Sequence, residues 1–316
     1  MPVVVRVARS AWGRRRVEGI LFLDTHAAHL IQPPKPPEIL AMLKRSAIKR
    51  TKLRLGKNPA TYDKRDLLFA QYRTAGALPS HPKYFGHEKL VGAKAWQMLG
   101  NGPDNSVAAG FKGAGDCVFA GGDHETMLWT LEGGKPARFT GASAIKDYSA
   151  VTGYDPRAPL DEYGNNPTDR GTNTRDGLSY RRKTGLIDAG GKRHKIGAYV
   201  SIELGNIDQL LEALYLFGVV GVGIKFPNSA MDQFNAGKPW SVVPGPPPTE
   251  GHYIPLVAHR TNLECVTWGR IQQMTQQFYK TYCDEAWAIL SPEMLKGGKS
   301  LEGFDLPQLQ ADLKLL

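Results

Sequence analysis

The sequence predicts an α+β fold on three observations: helical patterning through the first half of its body, strand-like alternation through the second, and a cysteine that opens one of the helices behind a run of small residues. Helices followed by strands in one chain describe a helical lobe facing a strand-rich lobe, with a cleft between them as the place for a ligand. At 316 residues, 41% of them hydrophobic and 22% charged, the chain has ample apolar material for a core.

Residues 1–32 mix a β-like start at Val3 with a basic cluster, and Pro33 to Pro37 form a stiff extended spacer. From Glu38 to Arg54, Ile39, Leu40, Leu43, Ala47 and Ile48 recur at helical spacing opposite a Lys/Arg-rich face. Gly56 to Asp63 reads as a loop, and Leu78-Pro79 and His81-Pro82 punctuate a connector that wraps around the body. A Gly/Asn-rich loop runs from Asn101 to Gly115. A helix is expected from Cys117 to about Leu131, ending at Gly133-Gly134, and a shorter one over Ala142 to Val151. Gly153 to Asp176 is a long surface loop of the kind that lines clefts. Gly177 to Thr184 suggests a further helix.

Ile196 to Ile202 then alternates as a strand. Asn206 is positioned to cap a helix whose buried stripe is Ile207, Leu210, Leu211, Leu214 and Phe217, with Gly218 as its stop. Strands are expected at Val219 to Phe226, His252 to Ala258 and Leu263 to Trp268, a helix at Met274 to Cys283, and a closing strand at Ala286 to Leu290. The organisation is an interaction arm over 1–54, one domain over 55–295 and a tail over 296–316.

Charge separates the arm from the body. Residues 1–57 carry 13 Lys/Arg against Glu18, Asp24 and Glu38, and the remainder balances its charges, so the whole net charge of +10 sits at the N-terminus. Such an arm suits an acidic protein surface or nucleic acid. With only Trp12 and Phe22 among its bases, a base-stacking surface is weakly supported. No run of 18 apolar residues predicts a membrane span, and the apolar patch Ile20 to Leu23 is too short for a signal-peptide core. The expected location is therefore cytoplasmic. Three cysteines make no disulfide framework. Cys117, His124, His252, Cys265 and Cys283 lack the close Cys-x-x-Cys spacing of structural zinc, and Gly110 to Gly115 matches neither phosphate-binding glycine motif, so no metal or cofactor is expected.

Cys117 and His252 form the sharpest pair. A thiol at a helix start lies near unpaired N–H groups and the positive end of the helix dipole, and an imidazole beside it can take its proton to give a reactive ion pair. The other reading of Cys117 is a buried free thiol, and His124, two turns along the same helix face, reads as a packed histidine. Gly115-Asp-Cys117-Val-Phe-Ala120 resembles the cysteine helix start of papain-like cysteine peptidases. Gly251-His252-Tyr-Ile-Pro-Leu-Val257 is similar to their histidine strand, Val266-Thr-Trp-Gly269 to their Asn-Ser-Trp-Gly block, and Asp284 to Leu290 to their closing strand. The blocks fall in the family's order over roughly Leu55 to Leu290, and Cys117 and His252 are 135 residues apart, inside the family's interval. Leu55-Gly-Lys-Asn-Pro-Ala60 and Met98-Leu-Gly-Asn101 look closest to divergent papain-like proteins encoded in bacterial and phage genomes.

The resemblance implies a papain-like fold and a hydrolase, a peptidase above all, acting on a peptide or protein substrate. In it Cys117 is the nucleophile, His252 the proton carrier and Trp268 the shield of the site. The family's imidazole-orienting Asn falls on Val266, which offers no side-chain hydrogen bond, and Asn262 and Glu264 both stand near enough in sequence to replace it. Phe111 occupies the place of the oxyanion Gln; Asn101 or Asn105 is the expected replacement, beside the backbone N–H of Cys117. The missing Asn and the added arm also motivate a second reading: a catalytically impaired scaffold acting in assembly, in the form of a phage virion component partnered through its arm.

Overall fold

The computed structural model describes residues 53–73, 81–86, 96, 99, 113–294, 307, 308 and 311. The arm (apart from Leu53 and Arg54), the expected helix at Glu38 to Arg54, Asn101, Asn105, Phe111 and nearly all of the tail lie outside the described residues.

The described chain is α+β. After a single 3-10 turn at Phe69–Tyr72 come the short strand β1 (Phe85–Gly86) and three helices: α1 (Cys117–Glu132), α2 (Gly141–Thr152) and α3 (Thr174–Lys183). A small hairpin, β2 (Leu186–Ile187) with β3 (Arg193–His194), leads into the sheet-forming half. That half contains β4 (Ala198–Ser201), α4 (Ile207–Phe217), β5 (Val220–Phe226), α5 (Asn228–Asn235), β6 (Glu250–His259), β7 (Leu263–Thr267), β8 (Arg270–Met274), α6 (Gln276–Tyr282) and β9 (Cys283–Leu290). The large sheet runs β4-β9-β5-β6-β7-β8, with β1 added on β6, and every pair is antiparallel.

Alternation along the central strands divides the core. Val220, Val222, Ile224, Ile254, Leu256 and Cys265 face α4 and α6 in one apolar cluster. Val257, Val266, Trp287 and Ile289 point the other way and pack with Leu128 and Trp129 of α1. Cys117, Val118, Phe119 and Tyr253 join α2 residues in a third cluster. On its α1 face β5 carries Gly221 and Gly223 because other groups fill that space: a Cβ on Gly221 would overlap the Tyr253 hydroxyl, and one on Gly223 would overlap Lys57 Cε.

Local rules placed most elements. Asn206 caps α4 through Gln209 N–H, and Gly218 ends it in the left-handed region at φ 70°. Several expected boundaries are corrected. Helix α3 starts at Thr174, inside the expected loop, because the Asn173 side chain accepts from Arg175 N–H. Gly177 is then an interior helix residue, where a Cβ would press to 2.6 Å from Val118 Cγ1 of α1. Pro227 not only closes β5 but stands as the N-cap of the unexpected α5. The polar stretch Arg270 to Met274 gave no strand signal, yet it is the edge strand β8. Strand β7 stops at Thr267, not Trp268, because Trp268 and Gly269 are the two-residue turn into β8, both with positive φ (45° and 77°). Strand β9 begins at Cys283, so Asp284 and Glu285 lie within a strand. No helix among the described residues is long and apolar enough to cross a membrane.

Candidate active site

Cys117 is the first residue of α1, and the elements around it meet from four directions. The loop before it is held by Asp169, whose two carboxylate oxygens both accept from Gly115 N–H at 3.0 Å. Tyr148 Oη donates to the same carboxylate at 2.6 Å, and the Arg54 guanidinium pairs with it at 3.1 Å. On its other side Cys117 meets β6: the backbone N–H of Tyr253 donates to Sγ at 3.4 Å. Gly121, one turn along, lets α1 approach this strand, since a Cβ there would lie 2.6 Å from the Tyr253 ring.

His252 is the residue before Tyr253, so the tertiary fold brings the two expected partners to abutting elements. Its Nε2 is 2.7 Å from Thr267 Oγ1, while Nδ1 has no hydrogen-bond partner among the described residues. Neither Asn262 nor Glu264 reaches the ring: Asn262 donates to Gln273, and Glu264 accepts from Gln273 and pairs with Arg260. The reason is strand alternation. Val266 and Glu264 share one face of β7, whereas Thr267 shares the other with Cys265, the face His252 occupies beside Ile254 on β6. The residue that holds the imidazole is therefore next to the position where the family pattern places it. Trp268 lies flat on the imidazole at 4.4 Å and 13°, and Phe226 meets it edge-on at 5.6 Å. Trp268 is held in its turn by donating to Arg54 O at 3.2 Å and by packing on Phe234.

The fourth direction is a strap, Leu53 to Pro59, where the sequence suggested the end of a helix at Arg54 and a loop from Gly56; Leu53 and Arg54 are not helical. Gly251 O accepts from both Gly56 N–H (3.3 Å) and Lys57 N–H (3.1 Å). Gly56 O accepts from Thr172 N–H, Thr172 O accepts from Asn58 N–H, and Lys57 and Thr172 form a parallel bridge. Gly56 is packed on the loop before Cys117, where a Cβ would overlap the Gly115 carbonyl. Beside the strap a cleft of about 530 Å³ stays open, lined by Arg54, Lys57, Lys225, Glu250 and Asp284 among others.

Under the strap Cys117 is 2% exposed and His252 1%. Burial pushes the thiol up to about 12, although the Tyr253 N–H and the nearby Lys57 charge favour the thiolate. Burial alone lowers His252 to about 3. The helix terminus contributes up to about 2 kcal/mol towards a charge, and desolvation outweighs it here. The strapped site thus holds a neutral thiol and a neutral imidazole. Cys265 and Cys283 are also free thiols raised chiefly by burial. His124 is buried edge-on against Trp96. Among the described residues no group of three or more His, Cys, Asp or Glu is placed to hold a metal.

These elements, a cysteine-led helix packed on the histidine strand of an antiparallel sheet, make up the papain-like cysteine-protease fold. Two solved structures share it: xylellain, a cysteine protease from Xylella fastidiosa, at a TM-score of 0.53 and 15% identity over 77% of this chain and 98% of that one, and proCathepsin B S9 from Trypanosoma congolense, at 0.51 and 10% over 77% and 88%. At those identities the likeness is one of fold. No protein-family model matches the sequence, and no curated protein matches it.

Proposed function

We propose that the protein is a papain-like cysteine hydrolase whose substrate is a peptide or protein, with Cys117 as nucleophile and His252 as proton carrier. The single observation that carries this reading is the placement of the pair: Cys117 Sγ is bound by the backbone N–H of Tyr253, the residue after His252, and the imidazole is held at Nε2 by Thr267 with Nδ1 unpaired among the described residues. With Nε2–H donating to Thr267 Oγ1, Nδ1 takes the thiol proton as Sγ attacks the carbonyl carbon. The Cys117 N–H, with Asn101 or Asn105, meets the developing oxyanion. The Nδ1 proton then passes to the leaving amine. Water, giving its proton back to Nδ1, hydrolyses the thioester and frees Sγ. Lifting the strap rehydrates the pair and lets the thiolate–imidazolium state form.

The second reading, a papain-like scaffold without turnover, draws on the burial of both groups. The basic arm over 1–54 supplies its docking element, and a virion partner is its most specific form. Iodoacetamide at pH 6, applied to a Lys57→Ala chain whose strap has lost its buried anchor and followed cysteine by cysteine by mass spectrometry, separates the two. Catalysis requires Cys117 to be alkylated at least tenfold faster than Cys265 and Cys283, an advantage lost in His252→Ala. Equally slow modification of all three, with or without His252, leaves the scaffold.

A further inference from the structure

Lys57 is a charged side chain sealed inside the cleft with its side chain fully buried, and the pocket around its ammonium is strongly acidic. Its Nζ lies 2.9 Å from Asp284 Oδ2 and 3.1 Å from Glu285 Oε1, and donates to Asn58 O at 3.0 Å. Glu285 is held rigidly, with Thr174 Oγ1 donating to Oε1 at 2.7 Å and Trp287 Nε1 to Oε2 at 3.0 Å. Asp284 is buried, lines the cleft, and has no partner for Oδ1 among the described residues. Two carboxylates therefore surround one ammonium, and an acceptor oxygen is left over. Gly223 completes the pocket by leaving the space that the Lys57 stem fills.

We propose that this pocket is a specificity pocket for a lysine or arginine side chain of a peptide substrate, and that Lys57 is its resident stand-in. The inference rests on the catalytic reading of Cys117 and His252. The strap is bound through groups that any extended chain can use: the Gly251 carbonyl next to His252, and the N–H and C=O of Thr172. A peptide lying there in its place aims one side chain into the pocket while its neighbouring carbonyl reaches Cys117. The surplus acceptor on Asp284 suits the fork of an arginine as well as the single point charge of a lysine. An ion pair kept only for stability is a weak explanation, because apolar residues of similar volume do that work as well or better. Two adjacent acids inside strand β9 also run against strand propensity.

The test uses the full chain carrying Lys57→Ala and two fluorescent hexapeptides that differ only in lysine against norleucine at one interior position, with binding read by anisotropy. The lysine peptide should bind at least tenfold more tightly, and Asp284→Asn with Glu285→Gln on the same background should abolish the difference. Equal affinities overturn the pocket. If the emptied pocket prevents folding, the Lys57→Ala chain is refolded with n-butylamine or with n-butanol, which differ in the ammonium alone. The amine should rescue folding at tenfold lower concentration, and equal rescue or none by either overturns the proposal. A Cys117 inert to iodoacetamide counts against catalysis alone, because the anisotropy difference still decides the pocket.

Discussion

Thr267 holds the imidazole through one oxygen, at 2.7 Å from Nε2, inside a shell of Trp268 and Phe226. A hydroxyl rotates to donate or accept, so the tautomer that leaves Nδ1 as a base is selected by the ring and by the thiol as much as by the threonine. Thr267→Val keeps the volume and removes the bond, stranding a buried ring nitrogen at a cost of about 1–3 kcal/mol. In the proposed reaction, turnover by Thr267→Val should fall about 10- to 100-fold with KM little changed, and Thr267→Ser should restore most of it; steady-state kinetics on one peptide checks both. Trp268 fits the same frame. Its positive φ is unusual for a large side chain, and the contacts to His252, Phe234 and Arg54 O compensate the strain.

At the scale of elements, the strap decides what state the site is in. Main-chain bonds at Gly251 and Thr172, the Lys57 charges and the Arg54–Asp169 pair all fix Leu53 to Pro59 over Cys117 and His252. For Lys57 burial opposes the charge, yet Glu285 and Asp284 outweigh it and raise the ammonium above its ordinary value. Lys57 therefore keeps its charge through the ordinary lysine range, and a rise in pH to that range does not release the strap from the lysine side. The point of least tolerance is Gly56, whose missing Cβ is the room for the Gly115 carbonyl. Gly56→Ala forces backbone against backbone, so the strap rather than the α1 loop should give way. Limited proteolysis should then cut within residues 53–59, and iodoacetamide should reach Cys117 at least tenfold faster than in the parent chain. Unchanged protection in both assays would mean that the strap does not control access.

Across the whole molecule, buried charge stitches the lobes together. Arg181 of α3 pairs at 2.6 Å with Glu125 of α1, and Glu125 accepts from Tyr253 Oη at 2.7 Å, so the α1–β6 contact that seats Cys117 is braced from below. A second link joins the β2–β3 hairpin to the segment after β9. His194 places Nδ1 2.7 Å from Glu293 and Nε2 3.0 Å from Asp188, with Lys192 also near Glu293. Burial opposes the imidazolium, but the two carboxylates prevail and raise His194, while the same contacts lower Asp188 and Glu293 against their own desolvation. A raised histidine contributes stability that is complete below its unfolded value near 6.5 and disappears as pH rises through the folded value. The carboxylates contribute above their unfolded values and lose that contribution as pH falls through their lowered ones. His194→Asn should therefore cost about 1–3 kcal/mol in urea unfolding at pH 5.5 to 6 and distinctly less at pH 9.

The α+β class, the positions of α1, α2, α4, β5, β6 and β7 to within about two residues, and the pairing of Cys117 with His252 as the feature to look for were all legible along the chain. Those follow from periodicity, caps and ordered motif blocks, which are written locally along the chain. The sequence misjudged β8, whose residues are polar because it is an edge, and α5, whose start a proline obscured. It pointed to Asn262 and Glu264 beside His252, since proximity along a chain does not show which face of a strand a residue occupies. Packing alone sets the contact of Thr267 with the imidazole, the anchoring of Gly115 by Asp169 across 54 positions, and the reach of Lys57 to Asp284 across 227. Such contacts join segments with no local signal in common. They depend on where glycines such as Gly56 and Gly223 leave space, and that is a property of the packed molecule.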